Sequence, residues 1–297
     1  MGGEPDADGP IPGCLYLVST PIGNLGDITL RALEVLKEVS LIACEDTRRT
    51  RKILVRYGIR TPTTSYHQFN EAARAPGLVR KIRSGEKLAL VTDGGTPCIS
   101  DPGYHLIRQV REAGGKVFSV PGPSAVVAAL SVSGLRSERF HFEGFLPARQ
   151  GPRKKRIREL AGIPETLVLF EAPHRIRRTL EDLLDLLGDR QVALARELTK
   201  IHEECRLGRL SQILQELPQM IRGELTLVVQ GPEDNRPGQQ VPREEDLLRE
   251  IESSPGRSTG QAVREVARRH GLSSRDAYNL WVRKGGKGRS TRKSPKK

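Results

Sequence analysis

The chain is 297 residues long, 36 % hydrophobic but only 4 % aromatic, with a formal net charge of +13. This is enough chain for two ordinary domains with aliphatic interiors, and no apolar run approaches the roughly 18 residues that a membrane span needs. The four cysteines, Cys14, Cys44, Cys98 and Cys205, are too scattered for a zinc site or disulfide scaffold, so no metal is expected and a reducing cytoplasm fits.

Residues 1–13 are acidic and rich in Gly and Pro, without the basic start and apolar core of a secretory signal, and read as a flexible leader. CLYLVS (14–19) is a short apolar strand, and the loop STPIGNLGDIT after it lacks the GxGxxG of dinucleotide folds. Thr29 is placed to cap a helix through Leu30, Leu33 and Leu36. VSLIAC (39–44) is a second strand, ending at Glu45 and Asp46 before a basic helix. YHQFNE (66–71) is an exposed polar patch whose His67, between two aromatics, is a candidate for stacking on a base.

KLALVTD (87–93) is a third strand, and it feeds VTDGGTPCISDPG (91–103), a strand, turn and helix start. There Gly94 and Gly95 either adopt positive φ or let a ligand approach the backbone, with Asp93 at the strand's carboxyl end, a usual ligand position in a parallel sheet. A fourth strand, KVFSV (116–120), completes a β-then-α alternation, so residues 14–122 are expected to form a parallel α/β domain ending at Pro121-Gly122-Pro123. Ser124 is then expected to cap the helix AVVAALSVSG.

Residues 123–232 read as a second α/β domain, with strands in RFHFEGFL, TLVLFEAP, QVALARELT and GELTLVVQGP and an amphipathic helix carrying Ile176, Leu180, Leu183, Leu184 and Leu187. A linker follows at 233–242, then a small helical domain at 243–283 with Val263, Val266, Ala267, Ala277, Leu280 and Trp281 as its apolar contacts, then a basic tail at 284–297, disordered until bound.

Charge is concentrated. Arg149, Arg153, Lys154, Lys155, Arg156 and Arg158 give +6 with no acid between them, and Arg283 to Lys297 gives +8. Such runs gain affinity for a polyanion by releasing counterions from its phosphates, although solubilising tails look similar. HExxH, GxSxG, P-loop and paired-cysteine patterns are all missing. A reaction that relies mainly on placing two bound partners fits that silence, since orientation alone contributes about 7–11 kcal/mol.

Taken together, LYLVSTPIGNLGDIT, ACEDTRRTRKILVRYGI, YHQFNE, VTDGGTPCISDPGY, VPGPSAVVAALSVSG, LFEAPHRI and LARELTKIHEE resemble the ribosomal RNA small subunit methyltransferase I family of the tetrapyrrole methylase superfamily. Gly94 departs from the alanine common there. The resemblance implies a two-domain tetrapyrrole methylase-like α/β fold with a small helical C-terminal appendage. It further implies S-adenosylmethionine as cofactor, 2′-O-methylation of a cytidine ribose in the decoding region of small-subunit ribosomal RNA, and a homodimer. Carried onto this sequence, it places Pro21, Asp93, Gly94, Gly95, Thr96, Ser124, Ala125, Phe170 and Leu225 around the cofactor. Glu171, Asp101 and Asp46 are left as alternative proton acceptors, each with a structural role as its rival reading. Arg175 and Lys200 join the six cations of 149–158 as candidate RNA contacts. Methylation of a tetrapyrrole or other small acceptor, and a non-catalytic RNA-binding assembly factor, stay open beside it.

Overall fold

Side chains alternate across a strand, and that alternation builds the first half of the molecule. The strands are β1 (Cys14–Val18), β2 (Leu41–Cys44), β3 (Thr63–Ser65), β4 (Lys87–Val91) and β5 (Lys116–Val120), and between them lie α1 (Leu30–Glu38), α2 (Thr47–Arg56), α3 (Glu71–Arg83) and α4 (Tyr104–Glu112). In this computed structural model, which describes residues 13–232, 244–252, 259–269 and 274–283, all five strands pair parallel in the order β3-β2-β4-β1-β5. Ala89 and Val91 of β4 pack with Ala32, Leu36, Ile53 and Leu54 on one face, while Leu88 and Leu90 pack with Leu78, Ile82, Leu106 and Val110 on the other. Both faces of the sheet are therefore covered, as a parallel sheet requires.

Helix starts follow local chemistry. The Ala32 N–H donates to Thr29 Oγ1 at 3.1 Å, capping α1 as expected. Thr47 opens α2 and Asp46 caps it, accepting from the Arg48 N–H at 2.8 Å. The chain leaves β2 toward β3 on one side of the sheet and leaves β4 toward β5 on the other. The connections leaving these neighbouring strands thus diverge and open a crevice at their carboxyl ends, the place where such folds take ligands.

The second half is built differently. β6 (Phe140–Phe145), β7 (Thr166–Glu171), β8 (Gln191–Arg196), β9 (Glu204–Arg209) and β10 (Leu225–Val229) run in the order β6-β7-β10-β8-β9. Only the β6–β7 pair is parallel. Helices α6 (Gln150–Leu160), α7 (Ile176–Leu187) and α8 (Leu210–Glu216) pack on one face. α5 (Ala125–Val132) packs on the other, through Val126, Ala129 and Leu130 against Val168, Ala193 and Val228. The Asn24 N–H donates to Thr199 Oγ1 at 3.0 Å, so the first loop of one half is tied to the strand-end turn of the other.

The chain divides into two compact units, Met1–Glu233 and Asp234–Lys297. In the second, α9 (Glu244–Glu252), α10 (Thr259–Arg269) and α11 (Ser274–Arg283) gather Leu247, Ile251, Val263, Val266, Ala267, Ala277 and Trp281 into one apolar cluster. The expected leader as far as residue 12, the linker at 233–242 and the basic tail at 284–297 lie outside the described residues. Among the described residues no helix is long and apolar enough to cross a membrane, and no cluster of His, Cys, Asp and Glu is arranged to hold a metal.

Candidate active site

The crevice between the two sheets begins with how β1 and β4 end. Thr20 and Gly95 exchange two backbone hydrogen bonds of 2.9 Å, which bring the first loop against the 94–96 turn. Gly95 sits at φ +89°, where a side chain is strained, and a Cβ on Gly94 would lie 3.1 Å from the Pro21 carbonyl oxygen. Thr96 Oγ1 lies 3.0 Å from Ser19 Oγ and donates to the Pro123 carbonyl at 3.4 Å, holding the end of β1, the glycine turn and the start of α5 together. Beyond it, Cys98 and Ser100 are held at φ +73° and +63°. Two such residues in one short loop cost about 1–3 kcal/mol each, the kind of strain that gathers at working sites.

The resulting cavity measures about 390 Å³, within the roughly 300–1,000 Å³ of small-molecule sites. Asp93, Gly94, Gly95, Thr96 and Asp101 line one wall, Ser124 and Ala125 the floor, and Phe170, Glu171 and Leu225 the facing wall. Pro21 does not line it. That residue is buried, and Ile22 presents the loop's side chain instead. Ser124 occupies the N-cap position of α5 but makes no side-chain cap bond, contrary to expectation.

The three carboxylates expected as proton acceptors have different surroundings. Asp46 is taken up by α2: besides capping, its two oxygens accept from Arg48 Nε and Nη2 at 3.1 and 2.8 Å. Hydrogen bonds from the Arg48 side chain and backbone hold its carboxyl at about 2, which makes it a poor base, and it is not among the residues lining the cavity. Glu171 is buried and saturated. One oxygen accepts from the Ala172 N–H at 2.7 Å and Arg175 Nε at 2.8 Å, the other from the Thr179 hydroxyl at 2.5 Å. Asp101 pairs with no cation among the described residues; burial, then the neighbouring Glu45 carboxylate, push it up to about 6, with the Thr92 hydroxyl opposing and Asp93 adding to the rise. Nor does it cap α4, whose N-cap is Gly103.

The expected RNA-contact cations also separate. Arg153 is buried, not presented to a partner: its Nε donates to Asp182 at 2.8 Å. Lys154 pairs with Asp182 and Asp185, and Arg156 is chelated by Glu143 and bonded to Glu159. Arg149, Lys155 and Arg158 are exposed on or beside α6. Arg175 is committed to Glu171, and Lys200 donates to Glu197 at 2.7 Å and Glu224 at 3.1 Å.

Some lining residues had little or no signal in the sequence. Arg49 reaches Asp93 at 3.3 Å because the first turn of α2 faces back over the strand ends. Phe145, the exposed last residue of β6, sets its ring 5.6 Å from Phe170. An exposed aromatic at a strand end was the only available hint, and the order of strands in the sheet was needed to use it.

Residues 14–214 match the model of the Tetrapyrrole (Corrin/Porphyrin) Methylases. The chain is 52 % identical over 224 residues to the ribosomal RNA small subunit methyltransferase I of Vibrio cholerae serotype O1, covering 74 % of this chain and 78 % of that protein. It is 45 % identical over 272 residues to the protein of the same name from Synechocystis sp., covering 90 % and 97 %. Among solved structures, the uroporphyrin-III-C-methyltransferase from Thermus thermophilus superposes with a TM-score of 0.52 at 24 % identity, covering 73 % of this chain and 94 % of that one, a likeness of fold.

Proposed function

Because the chain belongs to the ribosomal RNA small subunit methyltransferase I family, within the tetrapyrrole methylases, we propose that its crevice seats S-adenosylmethionine and presents a cytidine ribose to Asp101. The protein is an S-adenosylmethionine-dependent methyltransferase that modifies the 2′-oxygen of a cytidine in small-subunit ribosomal RNA. The single observation that carries the assignment of roles is the contrast among carboxylates at the crevice: only Asp101, of the three candidate acceptors, combines a place in the lining with freedom from a cation.

The residues present fit the cofactor. Phe170, Phe145 and Leu225 offer an apolar wall to a flat ring, the 94–96 turn admits close backbone approach, and Asp93 and Asp101 face a cationic sulfur with compatible charge. When bound, S-adenosylmethionine supplies an electrophilic methyl group on its sulfonium. Gly94, Gly95, Thr96, Ser124 and Ala125 hold it largely through backbone and shape, and Asp93 orients it. Asp101 takes the proton of the attacking hydroxyl, general-base help worth roughly 10²–10⁴-fold. Glu171 and Arg175 act indirectly, by fixing the turn at residues 172–175 that closes the second wall.

RNA is held outside the crevice by Arg149, Lys155 and Arg158, with the basic tail adding phosphate contacts. A homodimer, a cytoplasmic setting and a division into domains at 14–122 and 123–232 complete this reading. Methyl transfer from tritiated S-adenosylmethionine, offered isolated small subunits, free ribosomal RNA and a tetrapyrrole, tests it. Label is expected in RNA and recoverable as 2′-O-methylcytidine; label in the tetrapyrrole alone, or no cofactor binding by calorimetry, ends the proposal.

A further inference from the structure

The segment Tyr66–Glu71 neither lines the cavity nor supplies the proton acceptor, yet it follows β3 at the same carboxyl edge of the first sheet as the 92–101 loop. Its Phe69 is 87 % exposed, and Tyr104, the first residue of α4, is 63 % exposed. A single exposed ring is ordinary. Here each is paired with a histidine: Phe69 with His67 at 6.1 Å between ring centroids, Tyr104 with His105 at 5.5 Å, both edge-on.

Glu71 ties the second pair to Tyr66, the first residue of the segment. Its carboxylate lies 3.5 Å from the Tyr66 hydroxyl and 3.8 Å from His105 Nε2. Asn70 fixes His67 from behind, accepting from its backbone N–H at 2.8 Å and meeting its Nε2 at 3.1 Å. His67 is therefore held in place, and its ring meets that of Phe69 edge-on. The position of the rings is tied to the chemistry as well. Tyr104 follows Asp101 by three residues, and Glu45, which follows the strand paired with β3 and is pushed up by burial and then by Asp93, in turn bears on Asp101.

Exposed rings on the sheet edge that carries the acceptor for a ribose proton match how proteins take unpaired RNA, by stacking splayed bases on aromatic faces. A base locked in an A-form helix has no free face to offer. We propose that Phe69 and Tyr104 form a stacking seat for a nucleobase of the RNA strand whose ribose faces Asp101, so that the target is taken from a single strand. This inference rests on the RNA-methylation reading above and adds the residues that select the unpaired nucleotide.

The test uses the full chain, S-adenosylmethionine and whichever RNA acceptor the wild-type protein methylates. Phe69→Ala and Tyr104→Ala are each expected to raise KM for RNA about 5-fold or more, with kcat and cofactor affinity kept, and Phe69→Tyr to restore KM. In competition, an unlabelled single-stranded oligoribonucleotide should inhibit the wild type better than its duplex, and the double alanine variant should lose that preference. An unchanged KM in a folded double variant overturns the seat, as does equal inhibition by duplex. A variant that loses self-association in sedimentation while keeping its KM also overturns it, and assigns the rings to a contact between copies. Failure of the wild type to methylate any RNA strikes the underlying reading instead.

Discussion

Asp101 and Glu171 face one crevice from opposite walls, and their environments have little in common. The first wall is the end of a parallel sheet, where the connections part and leave a carboxylate half-buried among other carboxylates, with no counter-ion among the described residues. The second is the end of a mostly antiparallel sheet, where β7 turns directly into α7 and supplies Arg175 and Thr179 to a buried glutamate. On the proposed reading, the same functional group accepts a proton on one side and serves as a structural joint on the other. Desolvation without a partner favours the protonated form, whereas desolvation with three donors builds a fixed joint.

Substitution at both positions breaks the comparison most directly. Asp101→Asn should reduce methyl transfer by roughly 10²-fold or more while calorimetry finds cofactor binding intact; comparable turnover in the variant assigns the proton to another group. Glu171→Ala should leave Arg175 without its partner and destabilise the fold by about 3 kcal/mol, read as a shifted urea midpoint. If Glu171→Ala instead folds normally and is catalytically dead, the roles of the two walls are exchanged.

Arg153→Met extends the contrast to α6. The buried Arg153–Asp182 pair predicts a stability loss of about 3 kcal/mol with little change in RNA affinity. Neutralising Arg149, Lys155 and Arg158 together should do the reverse, lowering the slope of log affinity against log salt by about 2 for single-stranded RNA with cofactor affinity unchanged. Equal effects of both changes on RNA binding would remove the distinction drawn on α6.

The smallest effects concern pH. Asp101 must be deprotonated to act as a base, so kcat/KM should rise as pH increases through about 6 and level off above it; a flat profile from about pH 5 to 8 contradicts that role. Its folded pKa is raised above the unfolded value near 3.8, so the native state binds the proton more tightly and loses stability as pH climbs from about 4 to 6. Asp101→Asn should therefore be more stable than the parent above pH 6, by about 1 kcal/mol once solvent screening is allowed for, and the gain should fade below about pH 4.

How far the fold was legible depended on how much apolar side chain a strand carries, since the edge strands Lys116–Val120 and Phe140–Phe145 were read through their valines and phenylalanines. The strands read from the sequence are those with apolar runs, such as Leu88–Val91 and Leu167–Leu169, which the structure buries. The two that went unread, Thr63–Ser65 and Glu204–Arg209, are edge strands. A polar strand whose neighbours supply only one side of its pairing carries no hydrophobic signature. The glycine turn was legible because backbone conformation is a local demand. Arg49 and Phe145 were not, since their nearness to Asp93 and Phe170 comes from chain distant in sequence.

By itself the sequence determined the alternation of elements, the helix caps at Thr29 and the turn at Gly94-Gly95, because periodicity and φ preference act over a few residues. Only the tertiary structure decided which carboxylate has no counter-ion among the described residues and which arginines are already spent. Charge state and availability depend on burial and on partners such as Asp182 for Arg153 or Glu143 for Arg156, and those partners meet only when the chain has folded.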